Sequence, residues 1–422
     1  MKKHYDYIIA GGGCSGMSLL YHLLHSSLKD ASILVLDNNW HDPPGKTWCF
    51  WNKEPYPYLS AQKTSWDILQ YKTDKFTQTQ DVAPYQYFYI DSKDFFQEIR
   101  DLIHQFPNVV IAHEEVIDIK EENHAGVVTT MENEYISPMV FNSIPPNIPD
   151  SQDQYYSLKQ HFLGWFIETE IPTFEKDKIT FMDFRVPQYG EARFMYVLPF
   201  SETQALVEYT LFSESLISRE EYQQELQAYL EFQAGFPSYR VMGEEYGVIP
   251  MTDYPFQQHR GRHIINLGTA GGFTKASTGY TFKNIQADVK AIVASLEASG
   301  SPHYQRKQKK RFSWYDTLLL HIILNKGQLT KAIFDVLFRK NDIRLILRFL
   351  DEETKWWEDI YILTRLPWMP FLQALWEHYV LGRVKTKKPG PEAIPPSPKP
   401  TVPTKAQSPK PVYKEHHEHS LR

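Results

Sequence analysis

The chain has 422 residues, of which 42% are hydrophobic and 14% aromatic, enough to build two or more lobes around a large core. This composition excludes a chain that is disordered throughout, and the lack of any 18-residue apolar run excludes a polytopic membrane protein. From Arg383 onward nine Lys and Arg residues accompany three acidic ones, which leaves a net charge of −12 on residues 1–382 and argues against nucleic acid as a partner.

The first forty residues predict a β–α–β unit. Residues 7–10 form a short apolar strand, residues 17–24 carry a helical apolar stripe, and residues 32–36 form a second strand that ends at Asp37. Residues 41–91 are rich in Pro, Trp and Tyr and show no clear period.

The rest of the chain alternates short strands with a few helices. We predict helices at 94–106, 219–232 and 280–296, and strands at 109–112, 116–120, 127–131, 135–142, 162–169, 179–184, 193–198, 205–212 and 262–267. Residues 301–382 are predicted to be mostly helical, and the Pro- and Lys-rich residues 383–422 to be a disordered tail. His416, His417 and His419 lie in that tail, and we expect no metal site.

A glycine-rich turn joins the first strand to the first helix. Residues 11–16 match G-x-G-x-x-G, in which Gly11 allows the tight turn, Gly12 and Gly13 let the main chain approach a pyrophosphate, and Gly16 lets the helix pack on the strand. Asp37 follows Gly16 by 21 residues, the spacing needed to hold a ribose diol. We therefore expect a dinucleotide site made by Gly11, Gly12, Gly13, Cys14, Ser15, Gly16 and Asp37, with Cys14 as a small loop residue rather than a nucleophile. The alternative is a structural glycine turn with a solvent-facing Asp37.

FAD fits this arrangement better than NAD. The chain returns to a second glycine-rich junction between strand and helix at residues 264–280, and a cofactor held at two distant segments is typical of FAD. No second G-x-G-x-x-G occurs, so any hydride donor is expected to bind transiently. We assign the chain to the α/β class, with an FAD-binding domain at 1–150 and 245–300, a β-sheet substrate domain at 151–244 and a helical region at 301–382.

Several separated motifs resemble those of the lycopene cyclase family, in its bacterial β-cyclase branch. They cover residues 5–380 and lie at 7–13, 46–51, 181–185, 206–210, 246–251, 268–272, 277–280 and 347–351. The stretch 268–280 is the most specific, since flavin hydroxylases usually carry Gly-Asp where this chain has Gly268-Thr269. The resemblance implies a Rossmann-like FAD fold similar to geranylgeranyl reductases and hydroxylases. It also implies non-redox closure of the ψ-ends of lycopene to β-rings, through γ-carotene to β-carotene, with reduced FAD and NAD(P)H as the usual electron source.

Ring closure requires a strong acid to protonate an isolated alkene, and a carboxyl group in an apolar pocket stays protonated near neutral pH. Strand alternation places Leu206, Glu208 and Thr210 on one face, and by the resemblance Glu208 matches the first glutamate of the plant Phe-Leu-Glu-Glu-Thr motif, with Tyr209 in place of the second. Glu208 is the preferred acid. Asp183 is the second candidate, with an ion pair to Arg185 as its alternative.

Other residues are assigned to the flavin, the cation and the membrane. Gly268, Thr269, Gly271 and Gly272 are expected to contact flavin, and Trp48, Phe50 and Trp51 either face the cation or belong to the core. A helix predicted at 333–350, with basic residues among apolar ones, either lies on anionic lipid or packs inside a helical domain with a basic edge.

The expected location is cytoplasmic with peripheral membrane contact. Asp6 and the glycines at 11–13 interrupt any signal-peptide core, and Cys14 and Cys49 give no disulfide framework. The sequence indicates no oligomeric state. Two other functions remain open at this point: an FAD-dependent monooxygenase or prenyl reductase acting on another polyene lipid, and a carotenoid-binding protein in which flavin is structural.

Overall fold

The computed structural model describes residues 2–40, 45–56, 64–145, 154–236, 238–304, 306 and 309–382, so the predicted tail lies outside the described residues. The strands in the described residues are β1 (Lys2–His4), β2 (Tyr7–Ala10), β3 (Ile33–Leu36), β4 (Thr47–Asn52), β5 (Thr64–Trp66), β6 (Ile68–Lys72), β7 (Thr77–Asp81), β8 (Gln86–Asp91), β9 (Val109–Ala112), β10 (Val116–Glu122), β11 (Ala125–Thr130), β12 (Glu134–Ser137), β13 (Met139–Asn142), β14 (Leu158–Thr169), β15 (Lys178–Asp183), β16 (Ala192–Pro199), β17 (Gln204–Ser213), β18 (Tyr239–Met251) and β19 (Ile264–Asn266).

The helices are shorter and more numerous toward the C-terminus. They are α1 (Cys14–Leu24), α2 (Ser92–Ile103), α3 (Arg219–Ala228), α4 (Phe282–Ser299), α5 (Lys310–Lys326), α6 (Thr330–Lys340), α7 (Ile343–Leu350), α8 (Trp356–Leu363) and α9 (Trp368–Leu375). A π-helical turn continues α3 at Tyr229–Gln233, and another continues α9 at Trp376–Val380.

A five-stranded parallel sheet in the order β19-β13-β2-β3-β9 holds the predicted β–α–β unit. All four residues of β3 are buried, as expected for a parallel strand covered on both faces. Helices α1, α2 and α4 cover one face, and the four-stranded sheet β1-β12-β11-β10 covers the other through Ile119, Val128 and Tyr135. The predicted α/β class and its fold type are confirmed.

A seven-stranded sheet in the order β18-β14-β17-β16-β15-β6-β7 forms the second lobe. Helix α3 and its π-helical turn cover one face, and the C-terminal helices pack against the other. The sheet does not follow the predicted domain limits, because β6 and β7 come from residues assigned to the FAD-binding domain and the limit at 244/245 falls inside β18. The limit at 244/245 is wrong because β18 pairs with β14 along its whole length, so that residues 239–251 belong to one strand of this sheet.

Residues 47–91 contain strands β4 to β8, although the sequence showed no period there. The strands β4, β8 and β5 form a three-stranded sheet, and Phe50, Trp51, Tyr87 and Phe88 are buried on its two sides. When both faces of a strand are buried, the alternation that predicts a strand disappears.

The prediction of one helix over 333–350 is wrong, because α6 ends at Lys340 and α7 starts at Ile343. The side chain of Asp342 accepts a hydrogen bond from the main-chain N–H of Arg344 at 2.9 Å, which caps a new helix. Ile333, Ile346 and Leu347 are buried in the core. For this segment the structure favours the packed helical domain over a helix lying on lipid.

Candidate active site

A cavity of about 540 Å³ lies between the parallel sheet, the seven-stranded sheet and helices α6 and α7. One end is lined by Gly12, Gly13, Cys14, Ser15 and Asp37, and the other by Phe334, Leu337, Phe338, Ile346 and Leu350. Glu208 lines the same cavity. The structure therefore brings the predicted dinucleotide turn and the predicted acid into one space.

The glycine turn has the geometry that its sequence predicts. A Cβ on Gly16 would lie 2.1 Å from the carbonyl oxygen of Gly11, so only glycine allows α1 to start this close to β2. The N–H of Gly12 donates to the Asp37 carboxylate at 2.7 Å, and Gly13 is the residue before the helix. Asp37 thus lines the cavity at the turn and is not a freely solvent-facing acid.

Three loops meet at the carboxyl ends of the parallel strands. The hydroxyl of Ser15, after β2, lies 2.7 Å from the hydroxyl of Ser143, after β13, and a Cβ on Gly268, after β19, would lie 2.7 Å from the Ser15 hydroxyl. Thr269 lines the cavity. This edge is where open α/β sheets bind their ligands.

Some predicted contact residues shape the main chain instead of facing the cavity. Among the described residues, Gly11, Gly16, Gly268, Gly271 and Gly272 do not line it. A Cβ on Gly271 would lie 2.4 Å from the carbonyl oxygen of Asn266, and Gly272 has a φ of +74°. Cys14 does line the cavity, and burial raises the pKa of its thiol to about 12, which agrees with a small loop residue rather than a nucleophile.

The residues present fit a dinucleotide that carries a polar ring system. Gln160 Oε1 and Thr278 Oγ1 both line the cavity and are buried with no hydrogen-bond partner among the described residues. A buried polar atom without a partner is costly, and a ligand is one explanation for it. These two atoms would give a ligand polar contacts beside the second glycine-rich segment.

Glu208 lies on β17 between β14 and β16, with 8% of its surface exposed. Its neighbours agree with the predicted alternation, since Val207, Tyr209 and Leu211 pack on the α3 side and Thr210 lines the cavity with Glu208. The pKa of the Glu208 carboxyl is raised from 4.5 to about 8. Burial is the largest cause, the charge of Glu245 adds to the rise, and the hydrogen bond from Thr210 opposes it. Glu208 is therefore protonated at neutral pH, as a general acid must be.

The sequence analysis missed Glu245, which also lines the cavity and is 6% exposed. Its carboxylate accepts hydrogen bonds from the N–H of Thr47 at 2.7 Å and from the Thr47 hydroxyl at 2.8 Å. Glu245 directly precedes the motif at 246–251, which was the available signal. The signal was not used because no strand was predicted over β18.

Aromatic side chains form much of the cavity wall, and their faces are able to stabilise a cation. Phe50 and Trp51 are buried core residues, and the Trp51 ring donates to Asp351 at 2.7 Å. Trp48 stacks on Phe282 with ring centroids 5.5 Å apart and lines the cavity. The other aromatic lining residues are Trp40, Tyr87, Phe96, Phe162, Phe181, Phe194, Tyr196, Phe212, Tyr246, Tyr280, Phe282, Phe334 and Phe338.

Asp183 is fully buried and has other partners. Its carboxylate pairs with Arg185 through Nε at 2.8 Å and Nη2 at 2.6 Å, and the Tyr229 hydroxyl donates to it at 2.9 Å. It is not among the described residues that line the cavity. The structure therefore does not bring Asp183 to Glu208, and the ion-pair interpretation describes its surroundings.

A buried ion pair holds the C-terminal helices against the second glycine-rich segment. The Lys275 ammonium lies 3.1 Å from Asp316 of α5 and 2.9 Å from Glu352, which follows α7. Ser277 donates to the same Asp316 at 2.6 Å. Separating the helices from this loop would leave an uncompensated buried charge. The ion pair therefore holds the helical wall of the cavity to the second glycine-rich segment.

The fold is similar to that of several solved flavin-dependent proteins and of a geranylgeranyl reductase-like protein. A geranylgeranyl bacteriochlorophyll reductase-like protein of Thermoplasma acidophilum is 12% identical, with 90% of this chain and 98% of that chain covered and a TM-score of 0.53. A flavoprotein/dehydrogenase of Cytophaga hutchinsonii is 14% identical, with 82% and 92% covered and a TM-score of 0.56. A flavin-dependent brominase is 12% identical, with 90% and 100% covered and a TM-score of 0.54.

The chain belongs to the lycopene cyclase family, because the family model described as lycopene cyclase protein matches residues 6–376. A comparison with curated protein sequences gave no significant match. Within the described ranges, no helix combines the length and the apolar character needed to cross a membrane.

Proposed function

We propose that this protein is an FAD-dependent lycopene β-cyclase in which Glu208 is the general acid. The observation that carries the proposal is a buried carboxyl group in the same cavity as a G-x-G-x-x-G turn, and burial, which raises its pKa to about 8, supports its role as the acid. Membership of the lycopene cyclase family supports a carotenoid substrate.

The residues that would hold FAD lie at one end of the cavity. The main chain of residues 12–15 at the start of α1 would bind the pyrophosphate, and Asp37 a ribose diol. Thr269, Gln160 and Thr278 would contact the ring system. Reduced, anionic flavin supplies negative charge to a cation, which explains a flavin requirement in a reaction without net redox change.

Glu208 would begin the reaction by donating its proton to the terminal alkene of a ψ-end. The tertiary cation is then attacked by the neighbouring double bond, which closes the ring, and loss of one proton gives the β-ring. One proton enters and one leaves, so no electrons are transferred. The aromatic wall, which includes Tyr196 opposite Glu208 on β16 and Phe212 on β17 itself, would exclude water that would trap the cation.

The test is anaerobic incubation of the full chain with FAD, NADPH and lycopene in liposomes, followed by chromatography. We expect γ-carotene and then β-carotene without stoichiometric loss of NADPH. Glu208→Gln should reduce the rate at least 100-fold with the flavin spectrum unchanged, since general acid catalysis contributes about 10²–10⁴-fold. Glu244→Gln is the matched control, because Glu244 pairs with Arg219 and accepts from Trp165 outside the cavity.

The alternatives predict other outcomes of the same experiment. A prenyl reductase consumes NADPH in proportion to product, and a monooxygenase requires oxygen. A carotenoid-binding protein leaves lycopene unchanged while retaining reduced FAD. Any of these results would contradict the proposal.

We also propose that α8, α9 and the turn after α9 rest on a lipid surface. Large apolar residues are concentrated there with their side chains about half exposed, at Trp356, Trp357, Ile360, Tyr361, Trp368, Met369, Leu372, Trp376, Tyr379, Val380 and Leu381. Exposed apolar patches of this kind mark contact surfaces, and Trp and Tyr favour the membrane interface. A lipid-soluble carotenoid makes a membrane the fitting partner.

Flotation with anionic liposomes tests this surface. The double variant Trp356→Ser/Trp368→Ser should lose most liposome binding and keep its cyclase activity on detergent-dispersed lycopene. Phe232→Ser is the control, because Phe232 is 81% exposed but lies on the turn after α3. Unchanged flotation of the double variant would contradict a lipid surface. So would size-exclusion chromatography showing that the parent is a dimer and the double variant a monomer.

A further inference from the structure

Two carboxylates face the cavity from strands that flank a glycine. In the seven-stranded sheet, Gly164 of β14 is opposite Glu208 of β17 on one side and opposite Glu245 of β18 on the other. Residues directly opposite each other project to the same face, and strands lie about 4.8 Å apart. The glycine at the middle position therefore contributes no side chain of its own between the two acids, and the atom nearest to where its Cβ would be is Leu206 Cδ1, at 2.8 Å.

The two carboxylates have different hydrogen-bond partners. Glu245 accepts from two donors, the N–H and the hydroxyl of Thr47, whereas Glu208 accepts, within the described part of the chain, from the hydroxyl of Thr210 alone. Hydrogen bonds to a carboxylate favour its charged form. When the pair holds one proton, that proton therefore lies on Glu208 and the negative charge on Glu245.

Few other charges face the pair. Three ionisable groups interact electrostatically with Glu208 or with each other: Cys49 of β4, Tyr87 of β8 and Tyr196 of β16. Burial raises the pKa of each, so all three are neutral near pH 7. The same holds for Tyr280, whose pKa burial raises strongly. Burial raises the pKa of Glu245 as well, the two hydrogen bonds from Thr47 oppose this rise, and Asp91 and Lys46 act on it in opposite directions.

We propose that Glu245 is a positioning residue for cyclisation, whose negative charge keeps the proton on Glu208 until the alkene takes it. Once Glu208 has released the proton, the pair carries two negative charges beside the cation, which stabilises it and draws a proton back at the end of the cycle. The inference rests on the proposed function, because it assigns Glu245 a role through the acid Glu208.

The rate as a function of pH distinguishes this role from a structural one. In the unaltered protein kcat should fall as pH rises past about 8, where Glu208 loses its proton. In Glu245→Gln the like charge is gone, and the midpoint of this fall should move down by about one pH unit, with KM for lycopene changed less than about threefold. Glu245→Asp keeps the charge and should restore the original midpoint. Glu244→Gln, the adjacent residue, should leave the profile unchanged.

An unchanged midpoint in Glu245→Gln would overturn the inference. If Glu208→Gln is inactive in the same assay, the proposed function then stands and only the role of Glu245 fails; if Glu208→Gln stays active, the proposed function fails first.

Thr47→Val is the second variant, for use if Glu245→Gln does not retain FAD. Removing one of the two donors from Glu245 lets the proton spend more time there, so the low-pH plateau of kcat should fall severalfold with KM unchanged. An unchanged plateau in a variant that retains FAD also overturns the inference.

Discussion

At the glycine end of the cavity, the lining comes from four consecutive residues, 12–15, at the turn that leads into α1, together with Asp37. At the carboxylate end, the groups come from Thr47, Gly164, Glu208 and Glu245, which lie on four strands far apart in the chain. The first end depends on the absence of side chains, and the second on the register of three adjacent strands.

The difference concerns what each end tolerates. A turn that presents its main chain to a ligand accepts many side chains, provided that the glycines with no room for a Cβ are kept. A pair of buried carboxylates instead requires each neighbour to keep its polarity and position, because burying an unpaired charge costs several kcal/mol. Substitutions at each end separate these two dependences.

The largest effect is expected at the glycine end. Gly16→Val places a Cβ about 2.1 Å from the carbonyl oxygen of Gly11, which α1 and β2 cannot accommodate without moving apart. We expect loss of FAD binding, measured by flavin fluorescence after gel filtration. Gly243→Ala on β18 is the control, because its Cβ would meet only Phe166 at 3.7 Å and Gly243 is not among the described residues that line the cavity. Equal FAD retention by both variants would show that the close approach at Gly16 is unimportant.

The next effect concerns stability at the carboxylate end. Because the pKa of Glu208 is about 8 in the folded protein and 4.5 is its ordinary value, the folded state holds a proton that the unfolded state releases between these pH values. The stability of the parent should therefore fall relative to Glu208→Gln as pH rises from 4.5 to 8, by about 1.4 kcal/mol per pH unit. Thermal melts of both proteins at pH 5 and pH 8 measure this, with melting temperatures diverging toward pH 8. A constant difference would mean that Glu208 titrates normally.

The smallest effect is expected at Gly164. A Cβ there would lie 2.8 Å from Leu206 Cδ1 and 3.5 Å from Glu208 Cβ, and the end of a leucine side chain gives way easily. We expect Gly164→Ala to cost about 1 kcal/mol in the free energy of unfolding by urea and to lower cyclase activity severalfold. Gly243→Ala on β18 meets only Phe166 at 3.7 Å and should leave both quantities unchanged. If Gly243→Ala lowered stability and activity more than Gly164→Ala, the space between the carboxylates would have no role.

The glycine end could be predicted because its information is local. The strand at 7–10, the glycine turn and Asp37 lie within one β–α–β unit, and the turn geometry follows from the missing side chains. Glu208 was placed on one face by alternation within a single strand and was chosen as the acid through the resemblance to the family motif. Glu245 was not, because its closeness to Glu208 depends on the pairing of β17 and β18 with β14, which no local pattern contains.

The C-terminal region shows a second limit of local patterns. The apolar period continues through Asn341 and Asp342, so the sequence predicts one helix where the structure has two. The helix propensity of an aspartate is low within a helix and its capping preference is high, and here the cap prevails. In the C-terminal helices the exposed aromatic residues lie on α8, α9 and the turn after α9, together with Trp314 on α5, and residues 333–350 contribute none.

The position of β17 inside its sheet, paired on both sides, has a consequence for how related sequences can differ in length. Side chains alternate with a period of two, so inserting or deleting one residue between Gln204 and Glu208 would turn the acid toward α3 and put Val207 or Tyr209 in the cavity. Length changes among lycopene cyclases should therefore collect in the connections between strands, such as residues 184–191 and 200–203, while β14, β17 and β18 keep their residue count.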